Sequence, residues 1–82
     1  MRILLNLYGM YTLVFASRIS RYHRKEINGV KIVTPDDKYI VHVSPNFSDD
    51  DYKDMCREIM QNGYIDLTLC DTFTKSEEPI QD

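Results

Sequence analysis

Apolar side chains alternate with polar ones along most of this chain, and only one segment changes to a helical period. A period of two marks a strand with one buried face, because successive side chains point to opposite sides. Over residues 2–8, Ile3, Leu5 and Leu7 share one face, and Leu4, Asn6 and Tyr8 the other. Gly9 supplies a turn. Over residues 11–20, Tyr11, Leu13, Phe15, Ser17 and Ile19 share a side opposite Thr12, Val14, Ala16, Arg18 and Ser20. Met10, Leu13, Val14 and Ser17 also fall at helical spacing, but the Thr, Val, Phe, Ile and Tyr content favours a strand. Tyr39, Val41 and Val43 alternate with Ile40 and His42. In the segment Tyr64–Cys70, Ile65, Leu67 and Leu69 are expected inward and Asp66 and Thr68 outward.

Turn chemistry divides these strands. Asn28-Gly29 is the strongest hairpin signal, because both central positions of a type I′ turn need positive φ. It predicts a hairpin of Tyr22–Ile27 with Val30–Thr34. Pro35-Asp36-Asp37 predicts a second turn, so residues 20–44 read as a three-stranded antiparallel meander. Pro45 then ends the strand.

Ser48 opens the single helical segment. Its hydroxyl can accept a first-turn N–H, and Asp49, Asp50 and Asp51 suit the positive end of the helix. Tyr52, Met55, Cys56, Ile59 and Met60 form an apolar stripe, and Asn62-Gly63 supplies a left-handed C-cap. The expected fold class is therefore α+β: a single small two-layer domain, an antiparallel sheet of about five strands with one helix packed on one face. The domain is expected to span residues 1–71. Residues 72–82, polar and acidic, are expected to form a flexible tail.

With 82 residues, the chain has room for one domain. A domain of this size buries roughly 60% of its unfolded surface. Nearly every apolar side chain is then needed in the core, which leaves little for a deep substrate pocket. Binding to a partner or oligomerisation is a natural supplement, since whatever binds the folded state stabilises it.

The net charge of −3 excludes a uniformly basic nucleic-acid coat. The charges are unevenly placed. Residues 1–31 hold six basic side chains against one acidic, and residues 32–82 hold four against twelve. Such a dipolar chain steers and selects partners. Two cysteines are too few for a disulfide framework, so a cytoplasmic protein with both thiols reduced is expected. No stretch nears the ~20 apolar residues of a membrane-spanning helix, so no membrane partner is expected. Arg2 precedes an apolar run from Ile3 to Ala16 ending in Val14-Phe15-Ala16, as a secretion signal would. Asn6, Tyr8, Gly9, Tyr11 and Thr12 interrupt it.

Two charged segments are candidate contact sites. Arg18, Arg21, Tyr22, Arg24 and Lys25 combine guanidinium groups with a ring, which suits an acidic protein surface or, with the ring stacked, an unpaired base. A solvated strand edge guarded by charge has the same appearance. Asp49, Asp50, Asp51 and Asp54 could enter a basic groove on another protein, and Asp66, Asp71, Glu77 and Glu78 could extend that surface. Helix capping alone also accounts for them. An EF-hand's alternating ligands and central glycine are missing. His23, His42, Cys56 and Cys70 lie 19, 14 and 14 residues apart, unlike the short paired spacings of zinc sites. No nucleophile elbow or phosphate loop is present. Hence no cofactor, metal or catalytic residue is expected. Six tyrosines are too many for the core of so small a domain, and some are expected on an exposed sheet face.

In character, the chain resembles small phage-encoded or accessory proteins that bind and inhibit a host protein, although no motif carries the resemblance. The expected function is a small non-enzymatic protein-binding module that blocks a larger protein by steric or electrostatic contact. Charge reversal at Arg21 and Arg24 is then expected to weaken binding without unfolding the domain. A nucleic-acid-binding or regulatory role for segment 18–25 is the alternative, and a second copy of the chain is a further candidate partner.

Overall fold

The chain passes from one edge of its sheet to the other in two residues. A computed structural model describes residues 1–74. It contains β1 (Arg2–Leu7), β2 (Met10–Phe15), β3 (Arg18–Arg24), β4 (Ile27–Val33), β5 (Lys38–His42), α1 (Asp49–Asn62) and β6 (Tyr64–Thr74). The strand order is β2-β1-β6-β5-β4-β3. β2 and β3 are thus opposite edges, yet only Ala16 and Ser17 separate them. The Ala16 N–H donates to the Met1 carbonyl at 2.8 Å, and the Ser17 N–H to the Val33 carbonyl at 2.7 Å. β2 and β3 are therefore two halves of one strand that changes partner at this corner, and the sheet must roll to let it. Ala16, the single alanine of the chain, is buried there.

The inside of the roll is the core. Ile3, Leu5, Val14, Val30, Ile32, Val41 and Ile65 meet Met55 and Ile59 of α1. α1 is bounded as its residues predict. Ser48 and Asp51 form a reciprocal capping box, and Gly63, at φ 74°, ends the helix with its N–H on the Ile59 carbonyl. Tyr52 and Cys56 are half-buried, but Met60 is exposed and leaves the expected stripe.

The sheet is mixed, with six strands, where an antiparallel one of about five was expected. β1 and β6 run parallel, because α1 returns the chain to the end at which β1 starts: the Arg2 N–H donates to the Gly63 carbonyl at 3.1 Å. The other strand pairs are antiparallel, and β3, β4 and β5 form the expected meander.

The hairpin turn of that meander lies at Lys25-Glu26, and Asn28-Gly29 belongs to β4. Lys25 takes the positive φ, at 54°. Tertiary needs override the local signal. The Asn28 amide donates to the carbonyls of Ser44 and Phe47 at 2.8 and 3.0 Å. Gly29 lies under the β5 backbone, and a Cβ there would fall 2.7 Å from the Val41 carbonyl oxygen. The two positive φ values of a type I′ turn occur instead at Tyr8 and Gly9, joining β1 to β2.

β6 continues to Thr74, so residues 72–74 belong to the sheet instead of the expected tail, and residues 75–82 lie outside the described residues. Thr72 is buried in register with Val41 and Leu7, so the strand is needed there to complete the core. β6 also carries a bulge. Leu5 is paired with Leu67 and Asn6 with Asp71, which leaves Thr68, Leu69 and Cys70 between them without partners on β1. The bulge breaks the alternation, and Leu69, expected inward, is fully exposed.

Two substitutions test this packing. Gly29→Ala is expected to destabilise the fold by about 1–3 kcal/mol, read as a lower Tm, because the obstructing atom belongs to the backbone. Thr72→Val is expected to raise the Tm, by about 1 kcal/mol of added stability, since the buried Thr72 hydroxyl has no hydrogen-bond partner among the described residues.

Candidate functional site

The two charged segments singled out from the sequence meet each other. Arg21 points inward from β3. Its Nε lies 3.1 Å from Asp49 Oδ1, Nη1 donates to the Gly29 carbonyl at 2.8 Å, and Nη2 to the Phe47 carbonyl at 3.1 Å. The guanidinium also covers the Phe47 ring, 5.0 Å from its centroid. Its donors are thus used within the fold, holding the segment before α1 against the β3–β4 hairpin. Tyr22 is buried, Arg24 half-buried, and Arg18 and Lys25 exposed. The five residues are therefore not brought together as one exposed surface: Tyr22 is buried, and Arg21, on the opposite face of β3, is engaged with Asp49 and two backbone carbonyls.

The acidic group is likewise occupied. Asp49 pairs with Arg21, Asp51 accepts the Ser48 N–H at 2.9 Å as part of the capping box, and Asp54 pairs with Arg57. Asp50 is exposed and takes no part in these contacts. Nearby, burial pushes the Tyr52 hydroxyl up to about 12, the Cys56 thiol adds to the shift, and the Arg21 charge opposes it.

Among the described residues, no group of three or more His, Cys, Asp or Glu could hold a metal ion. Both cysteines are free thiols, and burial raises the pKa of Cys70, with Asp71 adding to the effect. No helix among the described residues is long and apolar enough to cross a membrane.

An exposed apolar strip lies on β2. Tyr11, Leu13 and Phe15 point away from the core and are 74%, 47% and 64% exposed. Across from them on β1 are Asn6, Leu4 and Arg2, and beyond these, on β6, are Asp71, Asp66 and Tyr64. Opposite residues in a sheet share a face, so these nine make one surface. It is apolar along β2 and carboxylate-bordered along β6. The Thr68 N–H, and then its hydroxyl, hold the Asp66 carboxyl below its usual range. Isolated exposed apolar residues are ordinary; here three at alternate positions lie together on one edge strand.

Sequence reasoning foresaw exposed tyrosines but missed Leu13 and Phe15. The available signal was the doubling of apolar character over residues 11–16. Val14 and Ala16 fill one face, so the apolar residues of the other face have no core to enter.

Comparison with known proteins finds no matching family model, no matching curated protein and no matching solved structure.

The contacts of Arg21 predict an asymmetry. Arg21→Ala is expected to cost about 2 kcal/mol of stability in chemical denaturation, because two backbone carbonyls lose a charged donor. Asp49→Ala is expected to cost less than about 1 kcal/mol, since the pair is exposed on the Asp49 side and those carbonyl bonds remain. Charge reversal at Arg21 is expected, on the same contacts, to destabilise the fold as well.

Proposed function

We propose that this chain is a non-enzymatic protein-binding module that acts by covering a surface of a larger protein, as an accessory inhibitor would. The observation that carries this reading is the uncharged outer face of β2: Tyr11, Leu13 and Phe15, exposed together on a strand at the edge of the sheet. Aromatic side chains contribute large contact area for little lost conformational freedom, which is why they anchor interfaces. Asp66 and Asp71 beside this strip favour a partner whose apolar patch is flanked by lysine or arginine. The nucleic-acid alternative has less support. With Tyr22 buried and Arg21 turned inward, segment 18–25 offers a base only the His23 imidazole as an exposed ring, a poorer stacking platform than the expected tyrosine between two free guanidinium groups.

Capture by the tagged chain from bacterial lysate tests this. The native chain is expected to retain a stoichiometric protein after nuclease treatment. The double variant Tyr11→Lys/Phe15→Lys is expected to lose it while remaining folded. Arg18→Glu/Arg24→Glu is expected to keep it. Capture that disappears with nuclease, or that ignores Tyr11 and Phe15, would remove the reading.

A further inference from the structure

The free edge of β2 has a geometry suited to one particular occupant. Met1 and Ala16 exchange both of their hydrogen bonds: the Met1 amino group donates to the Ala16 carbonyl at 3.2 Å, and the Ala16 N–H to the Met1 carbonyl at 2.8 Å. In an antiparallel ladder such mutual pairs recur at every second position. Ile3 with Val14, Leu5 with Thr12 and Leu7 with Met10 are therefore the bonded pairs of β1 and β2. The residues between, Tyr11, Leu13 and Phe15, direct their N–H and carbonyl groups away from β1. Ser17, the next of that series, uses this side to reach Val33. For Tyr11, Leu13 and Phe15, no strand lies on that side among the described residues.

We infer that β2 pairs antiparallel with β2 of a second copy of this chain, about a two-fold axis at Leu13. This rests on the reading of β2 as the binding strand. In that register Leu13 meets Leu13 of the second copy, and Tyr11 and Phe15 meet Phe15 and Tyr11. All three free residues then enter mutually bonded pairs, each with two hydrogen bonds. Outward residues meet outward residues, so the faces stay matched.

The devices that normally keep an edge strand from pairing are missing from β2. It has no charged residue and no proline, and its one-to-one register with β1 is unbroken over Arg2–Leu7. β3 contrasts with it, because Arg18, Arg21, His23 and Arg24 lie along that edge. Two β3 strands would set like charges opposite one another. A β2–β3 contact would be head-to-tail and would leave a free edge at each end for further addition. The β2–β2 contact is closed and free of like-charge opposition: it uses both apolar edges and exposes only basic ones. It also leaves Tyr11, Leu13 and Phe15 of both copies side by side on one face, doubling the surface assigned to the larger partner.

Sedimentation of the full chain tests this, with amide exchange as a readout that needs no variant. The native chain is expected to sediment as a dimer, with the N–H groups of Tyr11, Leu13 and Phe15 protected from exchange. Leu13→Lys and Leu13→Glu are each expected to be monomeric, with those amides unprotected. Both should fold, because residue 13 is exposed and its backbone groups point away from β1. Mixing the two is expected to restore the dimer, since the new charges meet across the axis. Mixing Tyr11→Lys with Tyr11→Glu is not expected to restore it, because Tyr11 meets Phe15. A native chain that stays monomeric up to its solubility limit, with fast exchange at these amides, overturns the inference. So does a dimer that survives Leu13→Lys, and failure of the Lys and Glu mixture overturns the register. A monomer that still captures a protein through Tyr11 and Phe15 removes the dimer and leaves the binding reading standing.

Discussion

The corner at Ala16–Ser17 governs this fold. Two successive amides donate to opposite ends of the sheet, one to Met1 and the other to Val33. A flat six-stranded sheet would hold its edges more than 20 Å apart at the usual strand spacing of about 4.8 Å. Two residues span only about 7 Å. The sheet must therefore roll, and rolling creates an inside that one layer of side chains and one helix can fill. The small side chain of Ala16 lets the strand bend there without overfilling the core. A small chain thereby obtains an enclosed core from a single sheet.

Arg21 holds the second critical junction. The chain must leave β5, cross the open side of the roll and begin α1, and it does so through a segment with little regular structure. Arg21 and Asn28 both donate to the Phe47 carbonyl, and Arg21 also reaches the first helical residue, Asp49. A hydrogen bond from a charged donor is worth roughly 1.5–3 kcal/mol, more than a neutral one. The charge separation along the sequence, basic early and acidic late, thus has in part an internal purpose. It brings the start of the helix back to the third strand.

Where local chemistry decides the structure, the sequence was legible. Ser48, Asp51 and Gly63 bound the helix through contacts no more than four residues long, and the alternation of Ile3, Leu5 and Val14 located the core. Where a distant contact decides, it was not. Asn28-Gly29 has the composition of a turn, but the Val41 carbonyl needs the glycine and the Phe47 carbonyl needs the asparagine. The parallel pairing of β1 with β6 leaves no local trace, and the bulge that exposes Leu69 depends on that pairing. The candidate site followed the same division. Charged segments stand out in a sequence whether they are free or engaged, while Leu13 and Phe15 resemble core residues until the sheet shows which face they occupy.

The position of β6 between β5 and β1 also has a consequence for synthesis. Synthesis runs from the N-terminal side, so β1 and β2 are made before residues 64–74. Until then the early hairpin has water on both faces, and the meander has no link to it except the corner. Neither part can complete the sheet alone. The sheet stays open until β6 enters between β5 and β1. Contacts between distant parts of a sequence slow folding, because the chain entropy of closing the loop is lost before the contact forms. Closure of this sheet therefore waits for β6, and a chain cut short before residue 64 would carry an apolar hairpin with nothing to cover it.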